Sequence, residues 1–126
     1  MKKSQASMEL MLFVGIGLII LIIYFTFFFT QTTNYNLEKE KRLGQDILEK
    51  VKTEIELAEE VNNGYSRTFI LPPTLNGISY NITIQNKELL IDTPNFNFIE
   101  LIPEVTGNIQ KNQNIIKKEE NVIYLN

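Results

Sequence analysis

Residues 10–29 read LMLFVGIGLIILIIYFTFFF: twenty consecutive residues without a charge, with Thr26 the only strongly polar side chain. At about 1.5 Å of rise per residue, a helix of this length spans roughly 30 Å, the thickness of a bilayer's hydrocarbon core. A chain of 126 residues is too small to bury so uniform a helix on every side, so lipid or other apolar helices must solvate it. A cleaved secretory signal does not fit. Its apolar stretch is only about 7–15 residues long and ends at a small-residue cleavage site, whereas here the run closes on FFFTQTT. Lys2 and Lys3 precede the run. The positive-inside rule therefore places the N-terminus in the cytoplasm and everything after residue 29 outside.

Composition narrows the chemistry. Lysine and arginine total 12 against 15 aspartates and glutamates, a net charge of −3. No basic excess is available to neutralise a phosphate backbone, so no nucleic-acid partner is expected. Cysteine and histidine are both absent. That removes disulfides, thiolate ligands, the commonest general base and the commonest metal ligand. The chain is expected to be a non-enzyme without metal or cofactor.

Four zones follow: 1–4, a short basic head; 5–29, the apolar segment; 30–63, amphipathic and helical; 64–126, β-rich. In the third zone Leu37, Lys41, Gly44, Leu48, Val51, Ile55 and Ala58 form a heptad-like seam, widened by Ile47 and Val61. The opposite, solvated face holds Glu38, Lys39, Glu40, Arg42, Asp46, Glu49, Lys50, Lys52, Glu54, Glu56 and Glu59. Glu54, Glu56, Glu59 and Glu60 read as a solvated helix end, because no Asp-x-Asp spacing or glycine turn supports a cation site. Asn62-Asn63-Gly64 supplies the stop. No proline lies between residues 5 and 63, so one helix can run through both zones. Its weak point is TQTTNYN at 30–36, where poor helix formers favour a bend.

The last zone changes period. Ile78, Tyr80, Ile82 and Ile84 alternate with Ser79, Asn81, Thr83 and Gln85, and Asn86-Lys87 separates this run from 88–91. Further strands are expected at 67–71, ended by Pro72-Pro73, and at 96–102, ended by Pro103. Ile115-Ile116 and residues 122–125 read as a last hairpin around a solvated turn holding Lys117-Lys118-Glu119-Glu120. The expected fold is α+β: a long N-terminal helix whose seam covers one small antiparallel sheet of five or six strands.

One string carries more than pattern. Lys3-Ser4-Gln5-Ala6-Ser7-Met8-Glu9-Leu10, set against the apolar run, resembles the class III signal peptide of archaeal type IV pilin-like proteins. That family is marked by a basic residue, a small residue, then Q-x-S-x-E and a hydrophobic helix. The resemblance covers about 25 residues and implies cleavage between Ser4 and Gln5 by a membrane-embedded prepilin peptidase. Serine before the cut, where glycine is common, is a departure from the usual pattern. The resemblance also implies a homo-polymer of pilin subunits, membrane-bound before assembly, built by an assembly ATPase on a membrane platform. The product is an extracellular filament, and a long helix followed by a small β-rich head matches the general pilin order.

The physics of the string agrees with this. Cleavage removes Lys2 and Lys3 and creates an amine at Gln5, one helical turn from Glu9. Each charge alone is costly in an apolar core, whereas a pair between neighbouring subunits attracts in low dielectric. On position alone Glu9 reads as a carboxylate in the headgroup region at the cytoplasmic end. With the cleavage that the resemblance implies, the pair Gln5–Glu9 is a candidate assembly register. Asn81-Ile82-Thr83 is an N-glycosylation sequon, which makes Asn81 a candidate acceptor. Two alternatives stand beside the structural subunit. One is a minor pilin that primes or caps the filament. The other is a bitopic, membrane-anchored binding domain that never polymerises.

Overall fold

The structure is a computed structural model that describes the backbone of residues 2–126 and the side chains of residues 5–126. Met1 and the side chains of Lys2, Lys3 and Ser4 lie outside the described residues, and with them part of the expected cleavage site. The chain divides into two units, Met1–Leu37 and Glu38–Asn126. Helix α1 covers Lys2–Glu60, and seven strands follow. The fold is α+β, as the change of period implies.

Within the second unit, residues 38–60 of α1 pack on two sheets. β1 (Ser66–Leu71), β6 (Asn112–Glu119), β7 (Val122–Leu125) and β5 (Val105–Gly107) form one, in the order β1-β6-β7-β5. β2 (Asn81–Gln85), β3 (Glu88–Asp92) and β4 (Asn97–Leu101) form the other, in chain order. The expectation of a single antiparallel sheet is corrected on two counts. There are two sheets, and the larger is mixed, because β5 pairs with β7 in parallel. Hairpin signals specify only neighbours in sequence. They locate β2-β3, where Asn86 and Lys87 adopt φ of 50° and 66° as a two-residue turn requires. They say nothing of β1 pairing with β6 across more than forty residues.

β5 has no counterpart in the sequence reading. It is three residues long, and it includes Gly107, a poor strand former. That glycine has φ of 114°, and a Cβ there would overlap the main chain of Leu125. Only glycine lets the parallel pair close.

Two further corrections concern polar residues. The turn expected at 117–120 is shorter: β6 continues to Glu119, and the chain reverses at Glu120-Asn121, both with positive φ. β6 also begins earlier than Ile115, at the polar run Asn112-Gln113-Asn114. Asn114 is fully buried and satisfied on both sides of its amide. Its Oδ1 accepts from Gln110 N–H at 2.9 Å, and its Nδ2 donates to Gln110 O at 2.7 Å. Asn126 Nδ2 donates to the same Oδ1 at 3.0 Å.

The helix seam is rotated relative to the heptad expectation. Glu40, Gly44, Ile47, Val51, Glu54, Ile55 and Ala58 are buried, Leu48 is half-buried and Lys41 is exposed. Glu40 and Glu54 thus leave the solvated face. A straight helix has 3.6 residues per turn, so a strict 3.5 repeat drifts off the true stripe within a few turns. Val51, Ile55 and Ala58 meet Leu71, Leu89, Ile91 and Ile116 in one core. Gly44 lies against the Phe98 ring of β4, so closely that a Cβ there would overlap it. Lys52 Nζ pairs with Glu100 of β4 at 2.5 Å. The hydrogen bond to Glu100 raises the Lys52 pKa above its ordinary value, against the smaller opposing effect of burial. Further along, Glu54 pairs with Arg67 of β1 at 3.3 Å. Gly44 and Lys52 thus touch the three-stranded sheet and Glu54 the larger one, while Val51, Ile55 and Ala58 join a core drawn from both.

Candidate anchoring and assembly segment

The sequence places its candidate chemistry at the N-terminal end of α1. Gln5 and Glu9 are both helical and exposed, and a spacing of four puts them on one face. Residues 5–14 and 16–36 are solvent-exposed throughout. Met11 stands at 78%, Phe13 at 72% and Phe29 at 66%, with no turn of the apolar run covered. The most apolar window has a mean hydropathy of 2.7 and none of it is buried. This is a helix long and apolar enough to cross a membrane.

Its two ends differ in chemistry. The first half carries Gly15 and Gly17; among the described residues, chain neighbours aside, nothing lies within 4 Å of where a Cβ would stand on either. The second half is aromatic: Tyr24 stacks on Phe28 and Phe25 on Phe29, with centroids 6.5 and 6.3 Å apart. These are i,i+4 contacts along the helix itself. Residues 30–36, expected to be the weak point, are helical. Thr30, Thr32 and Thr33 each donate their hydroxyl to the carbonyl four residues back, at 2.9–3.0 Å. In an apolar surrounding this arrangement leaves no hydroxyl unpaired.

Asn81 opens β2, an edge strand of the three-stranded sheet. Its side chain and that of Thr83 are exposed and, two residues apart, share the sheet's outer face. The sequon is therefore accessible in the folded head.

Sequence reasoning missed two polar sites in the head. The first is Glu40, only 3% exposed. Asn95 donates to it twice: the N–H to Oε1 at 3.0 Å and Nδ2 to Oε2 at 2.8 Å. Burial alone would push this carboxyl up. Hydrogen bonding from the Asn95 side chain, the Thr93 hydroxyl and the Asn95 N–H outweighs it and holds the pKa below the ordinary 4.5. Residues 93–96 form the β3-β4 turn, closed by Thr93 N–H donating to Phe96 O at 2.8 Å. Glu40 thus ties the helix to that turn. The signal available in advance was its place three and four residues before Leu43 and Gly44, on the true 3.6-residue stripe.

The second is Lys118, 8% exposed. Its Nζ donates to the carbonyls of Glu59 and Val61 at 2.5 and 2.8 Å, capping the C-terminal end of α1. A cation there meets both unpaired carbonyls and the negative end of the helix dipole. Both sites act within the head and hold its elements together.

No family model, curated protein or solved structure matches this chain.

Proposed function

We propose that the chain is a prepilin, the precursor of a structural subunit of an archaeal type IV pilus-like surface filament. In this reading a prepilin peptidase cuts between Ser4 and Gln5. The protein waits in the membrane with its head outside, and an ATP-driven machine draws the apolar helices together into a filament core. The observation that supports it is the string Gln5-Ala6-Ser7-Met8-Glu9 set directly against an uncharged, wholly exposed helix. A lone transmembrane anchor makes no specific use of a carboxylate at the threshold of its span, where it is an interfacial charge. A polymer has one, because Glu9 and the new amine of a neighbouring Gln5 neutralise each other only at the correct axial stagger. The protein's role is then mechanical, and it carries no catalytic residue.

N-terminal sequencing of material sheared from the cell surface tests the reading. A mature end at Gln5 is the expected result. Intact residues 1–4 in purified filaments, or the protein confined to the membrane, overturns it.

A further inference from the structure

Sheet edges are templates for pairing unless something blunts them, and this head has four. On β1 the outward carbonyl of Ile70 is taken by Lys50 Nζ at 2.7 Å, and Pro72-Pro73 end the strand. β5 is three residues long. β2 exposes only Asn81, Thr83 and Gln85 beside its free edge. β4 is different. Ile99 and Leu101 are 59% and 72% exposed on the outer face, and its one charge, Glu100, is on the other face, held by Lys52.

The ladder fixes which backbone groups of β4 are free. Ile102 N–H donates to Lys87 O at 2.9 Å, and Thr93 N–H donates to Phe96 O at 2.8 Å. In the antiparallel register Leu90↔Ile99 and Asp92↔Asn97, bonded pairs alternate with unbonded ones. Residues 96, 98, 100 and 102 therefore face β3. Asn97, Ile99 and Leu101 direct their N–H and C=O groups away from it, and among the described residues no backbone bond reaches them from outside. On β4 the unpaired backbone and the exposed apolar side chains thus belong to the same residues.

We infer that β4 is a docking strand for the β4 of a second copy, paired antiparallel about Ile99. The strand is complementary to itself. A two-fold axis through the edge sets Ile99 opposite Ile99 and Asn97 opposite Leu101, so each outward-facing residue meets another and each pair exchanges both bonds. The axis is perpendicular to the sheet, so the outer faces stay on one side. Leu90 and Ile99 of both copies then form one continuous apolar row. No charge on that face opposes another, which is what self-pairing requires and what charged edges prevent. A closed two-fold contact cannot propagate a helix of subunits, so it joins heads of two separate assemblies or two unassembled chains. The inference uses only the head and does not rest on the prepilin reading.

The absence of native cysteine makes register directly measurable in the full chain. Bonded antiparallel pairs have Cα atoms about 5.5 Å apart, within the roughly 4.4–6.8 Å that a disulfide spans. In detergent-solubilised protein under mild oxidation, Ile99→Cys is expected to give several-fold more covalent dimer than Thr83→Cys on the polar edge. Asn97→Cys and Leu101→Cys are each expected to stay monomeric alone and to cross-link when mixed. Equal cross-linking of Ile99→Cys, Leu101→Cys and Thr83→Cys would mean unspecific apolar clustering and would overturn the pairing. So would Asn97→Cys dimerising alone, or no excess at Ile99→Cys.

Discussion

Glu40 and Asn95, fifty-five residues apart, are joined by two hydrogen bonds, one from the Asn95 main chain and one from its side chain. The carboxylate is buried and, among the described residues, no cation pairs with it, so the turn supplies its hydrogen-bond compensation. Glu40→Ala removes the acceptor and leaves two donors unpaired. That should cost about 1–3 kcal/mol of head stability in a urea titration. An unchanged midpoint would show that the turn holds without the helix.

The same pair sets a pH dependence. The folded pKa of Glu40 lies below the ordinary 4.5, so in that interval the unfolded chain binds more protons than the folded one. The stabilisation is complete above the ordinary value and is lost as pH falls through the folded one. The melting temperature should drop on acidification from about pH 6 to about pH 3, with a shallower drop in Glu40→Gln. Identical acid limbs in the two proteins would assign the titration to other carboxylates.

Lys118 should behave as a cap rather than as a surface charge. Lys118→Met keeps the apolar stem and removes the ammonium from Glu59 O and Val61 O. Leaving these carbonyls unpaired should destabilise the head by about 1–3 kcal/mol. Lys117→Met, next to it but exposed, should fall within about 0.5 kcal/mol of the parent.

Gly44 offers a test of sign. In an open helix, glycine to alanine gains about 1 kcal/mol. Here the added Cβ meets the Phe98 ring, so Gly44→Ala should instead lose about 1–3 kcal/mol through overpacking. Combining it with Phe98→Leu should restore part of the loss. A stabilised Gly44→Ala would mean that the ring is free to move aside.

On the proposed prepilin reading, Glu9 should separate anchoring from assembly. Glu9→Ala should leave membrane insertion and the head unchanged, since neither uses the charge, and should sharply reduce filament yield. Glu9→Gln should fall between, keeping a hydrogen bond without the charge. Mass spectrometry of the N-terminus supplies the control, because an uncut variant would fail for a different reason. Normal yield from a processed Glu9→Ala protein would reduce Glu9 to an interfacial residue.

Sequence alone determined the features whose cause is local. Twenty uncharged residues in a chain of 126 make an apolar helix that the rest of the chain is too small to bury on every side. Alternation from Ile78 to Ile84 sends Tyr80 and Ile82 inward, and Asn86-Lys87 turns the chain because its backbone conformation suits a two-residue hairpin. Tertiary structure alone decided what depends on partners distant in the chain. It split the strands into two sheets, made β5 from a segment with no strand signal of its own, and turned Lys118 from a turn residue into a helix cap. It also buried Glu40, whose charge argued for solvent. The physical reason is common to all four. A polar group or a short strand has no preferred place until its hydrogen-bond partner is supplied, and for Glu40 that partner is a turn fifty-five residues further on.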